Sequence, residues 1–270
     1  MTVNSDWIAP TEFPDLSDRE KIAIDLETCD PGLIKDGPGW PKKIGAVIGI
    51  AVAANGFKAY YPIAHEGGGN MDSKKVIKYI KSLCENEKIE KVFHNAQYDI
   101  GWLSVLDIEV KGRIHDTMVA MALIDENRFS YTLNSISFDY LGEFKSEAKL
   151  KEAAAAFGVD PKAEMYKLPA TFVGEYAEED ARLTLKLYEK LAWEIKKDNL
   201  DTIYDIECKL IRVIFNMTKK GVRFDADKVV VLNDKFKNKE KKILKRIKDL
   251  TSQDVEIWAA ASIAKAFDSM

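Results

Sequence analysis

Two carboxylates stand at the end of an apolar run, in the stretch KIAIDLETCD that begins at Lys21. The apolar residues up to Leu26 predict a short buried strand. Because side chains alternate between the two faces of a strand, Asp25 and Glu27 point to the same face. Acidic residues are poor strand formers and are rarely buried without a partner. We therefore expect either a solvated strand end or a pair of ligands for a cation.

Two further acids sit on predicted helices, each with a polar residue one turn before it. Asp99 follows Asn95 by four positions, just after a further apolar segment, and Asp180 follows Tyr176 by four positions in a long helical pattern. Residues four apart share one face of a helix. Carboxylate oxygens are the ligands that Mg²⁺ and Mn²⁺ prefer. Each pattern is common by itself, because a solvated Asp beside a half-buried Tyr needs no function.

The composition indicates a globular protein that does not enter membranes. The 270 residues are 46% hydrophobic and carry a formal net charge of −4. No apolar run approaches the roughly 18 residues that span a bilayer, and the N-terminal residues show no secretory pattern. Cys29, Cys84 and Cys208 form no CxxC pair, which favours reduced thiols and a cytoplasmic location. The charge excludes a strongly basic nucleic-acid binder, but it allows a metal-dependent nuclease, whose acidic site offsets basic residues elsewhere.

The apolar pattern predicts an α/β domain. Asn55–Gly56 lies between two apolar runs and predicts a hairpin, so the second and third strands should be antiparallel neighbours. Strand–helix–strand units follow, and then helices. The expected strands cover residues 21–26, 44–54, 57–63, 91–94 and 110–116. The expected helices cover residues 72–83, 95–106, 117–124, 132–141, 175–197, 201–220 and 225–250.

Three segments, IDLET, FHNAQYD and YAEEDA, occur in this order on a strand, at a strand-to-helix junction and on a long helix. Together they resemble the three motifs of the DEDD superfamily of 3′–5′ exonucleases, in its tyrosine subclass. The resemblance covers residues 21–197. It implies an RNase H-like fold with a mixed, mostly five-stranded sheet flanked by helices. HDTMVAMAL also resembles a helix of this family that packs near the site. The proofreading domain of family A DNA polymerases, especially those of bacteriophages, is similar to three further segments, YYPIAHEGGGNMD, TLNSISFDYLG and DPKAEMYKLPATFVGEYAEEDARLTL.

The later part of the chain, from IYDIECKLIRVIFNMTKKGVRFDADKV onward, resembles the region that joins exonuclease to polymerase in the polymerase I family. We therefore expect an exonuclease domain at residues 1–197 and an α-helical segment at residues 198–270. No palm or fingers motif occurs before Met270. The resemblance thus implies a polymerase domain or subunit absent from this chain as a partner, and the cytoplasm of a phage-infected bacterium as the location.

The resemblance assigns a role to each acid around two Mg²⁺ or Mn²⁺ ions. Asp25 is expected to bridge both ions, and Asp99 to hold the second. Glu27 and Asp180 are expected to bind the first ion together with Asp25. Two such ions lower the pKa of the attacking water and stabilise the leaving 3′ oxygen of a phosphodiester. Tyr176 is expected to orient that water, because a phenol with a reference pKa of about 10 is a poor base at pH 7.

The resemblance also implies a substrate, the 3′ end of single-stranded or frayed DNA, which is shortened by release of nucleoside 5′-monophosphates. The backbone near Leu26 and the side chain of Thr28 are expected beside the terminal nucleotide. Asn95 is expected beside the substrate end, or as the cap of its helix. Binding without sequence preference uses aromatic rings that stack on bases. The candidate rings, which are more often core residues, are those of Phe93, Tyr98, Trp102, Phe129 and Tyr131.

Three functions remain open from the sequence. The first is the DNA 3′–5′ exonuclease, and the second is RNA 3′-end trimming by an RNase D-like relative with the same site. The third is a non-catalytic module that docks a separate polymerase subunit. The complete acid set argues against the third function, and the resemblance of the joining region favours DNA. The basic helix expected at residues 225–250 is interpreted as a solvated face rather than a surface that binds duplex DNA.

Overall fold

The computed structural model of the chain describes residues 4–269, and its centre is a five-stranded sheet in the order β3-β2-β1-β4-β5. β1 pairs with β2 in antiparallel and with β4 in parallel orientation, so the sheet is mixed, as expected. β3 and β5 form its edges. The strands are β1 (Lys21–Cys29), β2 (Ala46–Ala54), β3 (Phe57–Pro62), β4 (Glu90–Phe93) and β5 (Ile114–Asp116).

Ten α-helices accompany the sheet in the described part of the chain. Asp72 and Asp116 cap α2 and α4, because their carboxylates accept hydrogen bonds from backbone amides of the first turn. The helices are α1 (Leu33–Asp36), α2 (Ser73–Cys84), α3 (Ala96–Val105), α4 (Thr117–Ile124), α5 (Leu133–Leu141), α6 (Ala148–Phe157), α7 (Gly174–Lys197), α8 (Asp201–Lys220), α9 (Ala226–Thr251) and α10 (Ala260–Asp268). Short 3₁₀-helices lie at Trp40–Lys42, Met165–Lys167 and Ala170–Phe172.

β1 runs through the middle of the sheet and separates two hydrophobic cores. Its residues Ile22 and Ile24 belong to the core that includes side chains of α2 and α3. Ala23 belongs to the opposite core, which includes side chains of α4, α5 and α7. Because Asp25 and Glu27 alternate in step with Ala23, they lie on the face covered by α7. The alternation in the sequence therefore brings both carboxylates under the long helix.

Small side chains allow α7 to lie close to the sheet. Ala51 and Ala53 of β2 are buried in the same core as Ala177 and Ala181 of the helix. With only methyl groups between them, the helix and the strands can approach more closely than larger side chains would permit. Polar groups on this face of α7 can therefore reach the carboxylates of β1.

α8 packs onto the same body. Tyr204 and Cys208 are buried in the core beneath α7, and Ile211 is buried in the core on the other face of the sheet. The first compact unit accordingly runs to Lys220 and includes α8, beyond residue 197, where the sequence motifs place the end of the exonuclease domain. A second compact unit begins at Gly221 and contains α9 and α10.

The hairpin prediction is confirmed, and the prediction for the fifth strand is wrong in extent. β2 and β3 are antiparallel partners, and Gly56 in the turn between them has a φ of 74°. The fifth strand was expected at residues 110–116 but covers only Ile114–Asp116. Gly112 has a left-handed φ of 73°, and the amide of Lys111 donates to the carbonyl of Cys84 at 2.9 Å, so this segment is a loop. No helix in residues 4–269 is both long and apolar enough to cross a bilayer.

Candidate active site

Three carboxylates from two elements meet on the α7 side of the sheet. β1 supplies Asp25 and Glu27, and α7 supplies Asp180. One oxygen from each lies within 4.8 Å of the oxygens from the other two. Oxygens on opposite sides of a cation, each at about 2.0–2.4 Å from it, are separated by roughly this distance. One ion can therefore contact all three residues.

Burial raises the pKa values of these acids, and neighbouring carboxylates add to the shifts. Burial raises the pKa of Asp25 to about 7, and the charge of Asp180 adds to this shift. Burial raises the pKa of Glu27 as well, with further contributions from Asp25 and Asp180. Burial also raises the pKa of Asp180 itself. Such shifts mean that the surrounding positive charge and hydrogen-bond donors are too few to stabilise the ionised carboxylates.

The donor set fits a hard divalent cation. Oδ1 of Asp180 is buried and has no hydrogen-bond partner among residues 4–269, so a ligand atom is free there. Asp25 and Glu27 are partly exposed, which leaves a path for an ion from solvent. Mg²⁺ and Mn²⁺ prefer oxygen ligands of this kind. A bound ion would also remove the repulsion among the three carboxylates.

Asp99 is buried beside this cluster at the start of α3. Its Oδ1 accepts a hydrogen bond from the amide of Leu26 at 3.2 Å, which ties α3 to β1. Burial raises the pKa of Asp99, and the charge of Asp25 raises it further, so the two carboxylates are electrostatic neighbours. Asp99 does not belong to the group of three acids with mutual distances within 4.8 Å. Asp99 is therefore a neighbour of the three-acid group rather than a fourth member of it.

Tyr176 lies on the cluster face of α7, one turn before Asp180, and has a partner that the sequence motifs do not contain. Its hydroxyl accepts a hydrogen bond of 2.6 Å from Nζ of Lys145. The same Nζ forms an ion pair with Oδ2 of Asp180. Burial raises the pKa of Tyr176 well above its usual value, and the charge of Asp180 contributes next. The phenol is therefore neutral at physiological pH.

Thr28 and Tyr98 form a hydrogen-bonded group at the end of β1. The Thr28 hydroxyl and the Tyr98 hydroxyl lie 2.6 Å apart, and the Tyr98 hydroxyl also lies 3.2 Å from Oδ2 of Asp30. Both side chains are half-buried and retain some accessible surface. Leu26, by contrast, is 7% exposed and its side chain packs in the core, so this side chain is not available to a substrate.

Asn95 precedes α3 in a left-handed conformation with a φ of 71°, and its side chain makes no capping hydrogen bond. The carboxylate of Asp116 performs that task, because it accepts hydrogen bonds from the amides of Asn95 at 3.1 Å and Ala96 at 2.7 Å. The Asn95 side chain is exposed. The interpretation of Asn95 as a side-chain cap is therefore wrong, and its side chain remains free for other contacts.

The aromatic candidates divide into buried and accessible rings. Phe93 and Trp102 are fully buried in the core, so the prediction that they stack on DNA bases is corrected. Tyr131 is half-buried and donates a hydrogen bond of 2.9 Å to the carbonyl of Asp125. Phe129 is fully exposed. Only the accessible rings can meet a base, and Tyr98 is the one that contacts the strand carrying the acids.

Comparison with known proteins assigns the chain to a family. Residues 14–196 match the family model described as 3′–5′ exonuclease, which covers more than half of the chain. The chain is 35% identical over 276 aligned residues to a DNA-directed DNA polymerase of Pseudomonas phage M6, covering 99% of this chain and 42% of that protein. It is 27% identical to DNA polymerase I of Pseudomonas aeruginosa, covering 90% of this chain and 26% of that protein. The chain therefore belongs to the family of 3′–5′ exonuclease domains of polymerase I-type DNA polymerases.

The fold agrees with this assignment. Escherichia coli RNase D, an exoribonuclease, superposes with a TM-score of 0.53 at 17% identity, covering 74% of this chain and 46% of that one. At this identity the likeness shows the fold alone, and that fold is the expected RNase H-like one. The chain spans less than half the length of the polymerases it matches, as the shares of 42% and 26% state.

Proposed function

We propose that this domain removes nucleotides from the 3′ ends of single-stranded or frayed DNA and releases nucleoside 5′-monophosphates. The observation that carries the proposal is that oxygens of Asp25, Glu27 and Asp180 lie within 4.8 Å of one another. The helix that supplies Asp180, α7, also carries Tyr176. Membership in the exonuclease family supports the reaction type. Tyr176, four positions before Asp180, supports the tyrosine subclass.

The acids would hold two divalent ions. Asp25, Glu27 and Asp180 fit the first, and Asp99 fits the second together with Asp25. When bound, such ions lower the pKa of the attacking water and stabilise the leaving 3′ oxygen. Tyr176 stays neutral because burial raises its pKa, so its role is to orient the attacking water through its hydroxyl.

The substrate end would lie along the end of β1. The backbone at Leu26, the Thr28 hydroxyl and the ring of Tyr98 are candidate contacts for the terminal nucleotide, since Thr28 and Tyr98 are partly accessible and mutually hydrogen-bonded. The exposed amide of Asn95 and the ring of Tyr131 are candidates farther along the strand. Contacts of this kind read the backbone and the base face rather than base edges, which suits cleavage without sequence preference.

A direct digest tests the proposal. A 5′-labelled single-stranded DNA is incubated with the protein and Mg²⁺ or Mn²⁺, and a ladder that shortens from the 3′ end is expected. Asp25→Ala should abolish the ladder, because the cluster loses the ligand expected to serve both ions. Equal activity of that variant, or an uncut DNA with the wild type, contradicts the proposal. An RNA oligonucleotide in parallel decides between DNA proofreading and RNase D-like trimming.

We further propose that the domain edits for a polymerase. Its relatives are DNA polymerases of more than twice the aligned length, so a polymerase domain in the same protein or in a separate subunit would supply the frayed 3′ end. The phage relatives support the cytoplasm of an infected bacterium as the place of action. Digestion of a primer with a mismatched 3′ end, compared with a matched one, tests the editing role. A non-catalytic docking module would cut neither.

A further inference from the structure

Lys145 reaches the acidic cluster from an irregular segment between α5 and α6. Its backbone amide donates to Oδ1 of Asn134 at 3.4 Å, which holds the segment against α5. Its side chain is 11% exposed, and that of its partner Asp180 is 8% exposed. A largely buried ammonium is costly unless charged and polar partners compensate it. Both kinds of partner are present here, so the placement of Lys145 is specific.

The ammonium contacts two functional side chains of α7 at once. Nζ pairs with Oδ2 of Asp180, donates to the hydroxyl of Tyr176 at 2.6 Å and lies 3.8 Å from the centroid of the Tyr176 ring. An ammonium has three donors and no acceptor. The tyrosine hydroxyl must therefore accept this hydrogen bond, which leaves its own hydrogen free to be donated elsewhere. The contact thus presents the hydroxyl as a donor toward the site.

In the absence of an ion, Lys145 supplies positive charge to the cluster. Its charge opposes the upward pKa shifts of Asp25, Glu27 and Asp180. A divalent cation bound to the same carboxylates would be repelled by an ammonium only a few ångströms away. Lys145 and Tyr176 also line a cavity of about 310 Å³, together with Phe144. The ammonium therefore has space to leave Asp180 while it stays beside the tyrosine.

We propose that Lys145 is a positioning residue of this site, whose ammonium pairs with Asp180 in the metal-free protein, yields that carboxylate to the ion and keeps its contact with the Tyr176 hydroxyl. This inference rests on the proposed metal-dependent exonuclease function. It gives Lys145 two effects of opposite sign. Its charge weakens ion binding, and its contact with Tyr176 raises turnover.

The sharpest test is Lys145→Met, which keeps a stem of similar length and removes both the charge and the donor. Calorimetric titration of the full chain with Mn²⁺, without DNA, should give a dissociation constant at least about fivefold lower than that of the wild type. At saturating Mn²⁺, kcat for single-stranded DNA should fall about 10- to 100-fold, the usual cost of losing a partner of an active-site group. A purely structural residue would weaken both properties together.

Three comparisons separate charge, contact and folding. Lys145→Arg keeps the charge and should return the Mn²⁺ affinity to near the wild-type value. Lys190→Gln removes a partly exposed lysine of α7 that pairs with Glu194, and it should change neither property. In a Tyr176→Phe background, Lys145→Met should lower kcat much less than it does in the wild type, because the hydroxyl through which it acts is gone.

A measurement on the unaltered chain covers the case in which Lys145→Met does not fold. Reductive methylation followed by peptide mass spectrometry should be slow at Lys145 in chelator and faster in Mn²⁺, while Lys190 reacts at the same rate in both. An unchanged rate at Lys145 overturns the proposal, as does an unchanged or weaker Mn²⁺ affinity in Lys145→Met. If the wild type cleaves no nucleic acid, the proposed function fails, and the Mn²⁺ affinities still decide the role of Lys145.

Discussion

The backbone amide of Leu26 donates a hydrogen bond of 3.2 Å to Oδ1 of Asp99, a residue 73 positions farther along the chain. The bond fixes the start of α3 against β1, beside the strand residues Asp25 and Glu27. One oxygen of Asp99 is thereby held by the protein itself. The other oxygen is oriented with little freedom, which is the kind of preorganisation that a ligand for a metal ion requires.

Asp99→Asn should separate this structural role from the chemical one. The amide oxygen can still accept from Leu26, so the denaturant midpoint of the metal-free protein should not fall. The lost negative charge should reduce the rate of 3′–5′ cleavage at least about 100-fold, because a carboxylate ligand is replaced by a neutral one. Steady-state kinetics with single-stranded DNA measures the loss.

Asp99→Ala is the matched control, since it removes the same charge and also the acceptor. The buried amide of Leu26 then lacks its partner, which costs about 1–3 kcal/mol in the free energy of unfolding relative to Asp99→Asn. Equal stability of the two variants in urea titration would show that the 3.2 Å contact contributes nothing to the fold.

Tyr176→Phe should lower turnover without changing ion binding. The phenol ring and its packing remain, and only the hydroxyl that accepts from Lys145 at 2.6 Å is lost. We expect kcat to fall about 10- to 100-fold and the Mn²⁺ dissociation constant to stay within about twofold. A rise in KM with an unchanged kcat would assign the hydroxyl to substrate binding instead of water positioning.

Divalent ions should stabilise the fold, because they bind carboxylates that repel one another when no ion is bound. At a Mn²⁺ concentration about 100 times the dissociation constant, binding to the folded state adds about 2.7 kcal/mol to the free energy of unfolding. Asp25→Asn should raise the melting temperature in chelator, since burial and the charge of Asp180 raise the pKa of this group to about 7. The same variant should lose most of the Mn²⁺-dependent increase. Identical melts of the wild type with and without saturating ion would contradict this account.

His65 should make the protein less stable in mild acid. Its Nδ1 lies 2.9 Å from the carbonyl of Leu168, so Nδ1 carries the proton, and Nε2 accepts from the Tyr60 hydroxyl at 2.7 Å. Burial lowers the pKa of His65 from 6.5 to about 4. As the pH falls from about 6.5 to about 4, the unfolded chain binds a proton that the folded chain does not, so stability is lost across that window.

The size of this effect is bounded, and a variant isolates it. One titrating group changes the free energy of unfolding by at most about 1.4 kcal/mol per pH unit. Urea titrations between pH 4 and pH 7 should show a shallower slope for His65→Gln than for the wild type. The other two histidines, His94 and His115, also have lowered pKa values and should retain their share of the slope in both proteins. Parallel curves for the two proteins would rule out a contribution of His65.

The acids were predicted from the resemblance of three ordered motifs to the DEDD exonucleases, but no motif pointed to the residues that surround them. The two-residue spacing of Asp25 and Glu27 and the four-residue spacing of Tyr176 and Asp180 place each pair on one face, whatever the rest of the fold does. Lys145 has no such signal. It lies in an irregular segment 35 positions before Asp180, and only the packing of α5, α6 and α7 brings it to the cluster.

The aromatic residues and the fifth strand show the same limit. A ring that packs in a core and a ring that stacks on a base have the same sequence signature. Phe93 and Trp102 are buried in the structure and are therefore core residues. The apolar residues Val110 and Ile114 suggested one continuous strand. Gly112 interrupts it with a left-handed φ of 73°, a conformation that the apolar pattern does not report.

The folded exonuclease unit should require α8. Arg212 of this helix donates hydrogen bonds of 2.7 Å to the carbonyls of Val110 and Gly112, and residues of the helix are buried in both cores. A chain of residues 1–220 should therefore unfold in one cooperative transition. It should also have the same exonuclease activity as the full chain. A chain of residues 1–197 ends where the sequence motifs end and lacks the α8 side chains that are buried in both cores. It should unfold at a lower temperature, because the remaining core residues are then exposed to solvent.

Arg212→Ala tests the same interface within the full chain. It leaves two carbonyls beside β5 without their donor, and each lost bond to a charged group contributes about 1.5–3 kcal/mol. Gly112 is partly exposed, so water replaces part of this loss, and we expect a total loss of about 2 kcal/mol in the free energy of unfolding. Lys209→Ala, which removes an exposed lysine of α8 that pairs with Asp205, should cost less than about 1 kcal/mol. Equal effects of the two substitutions in urea titration, or a fully stable chain of residues 1–197, would place the boundary of the folded unit before α8.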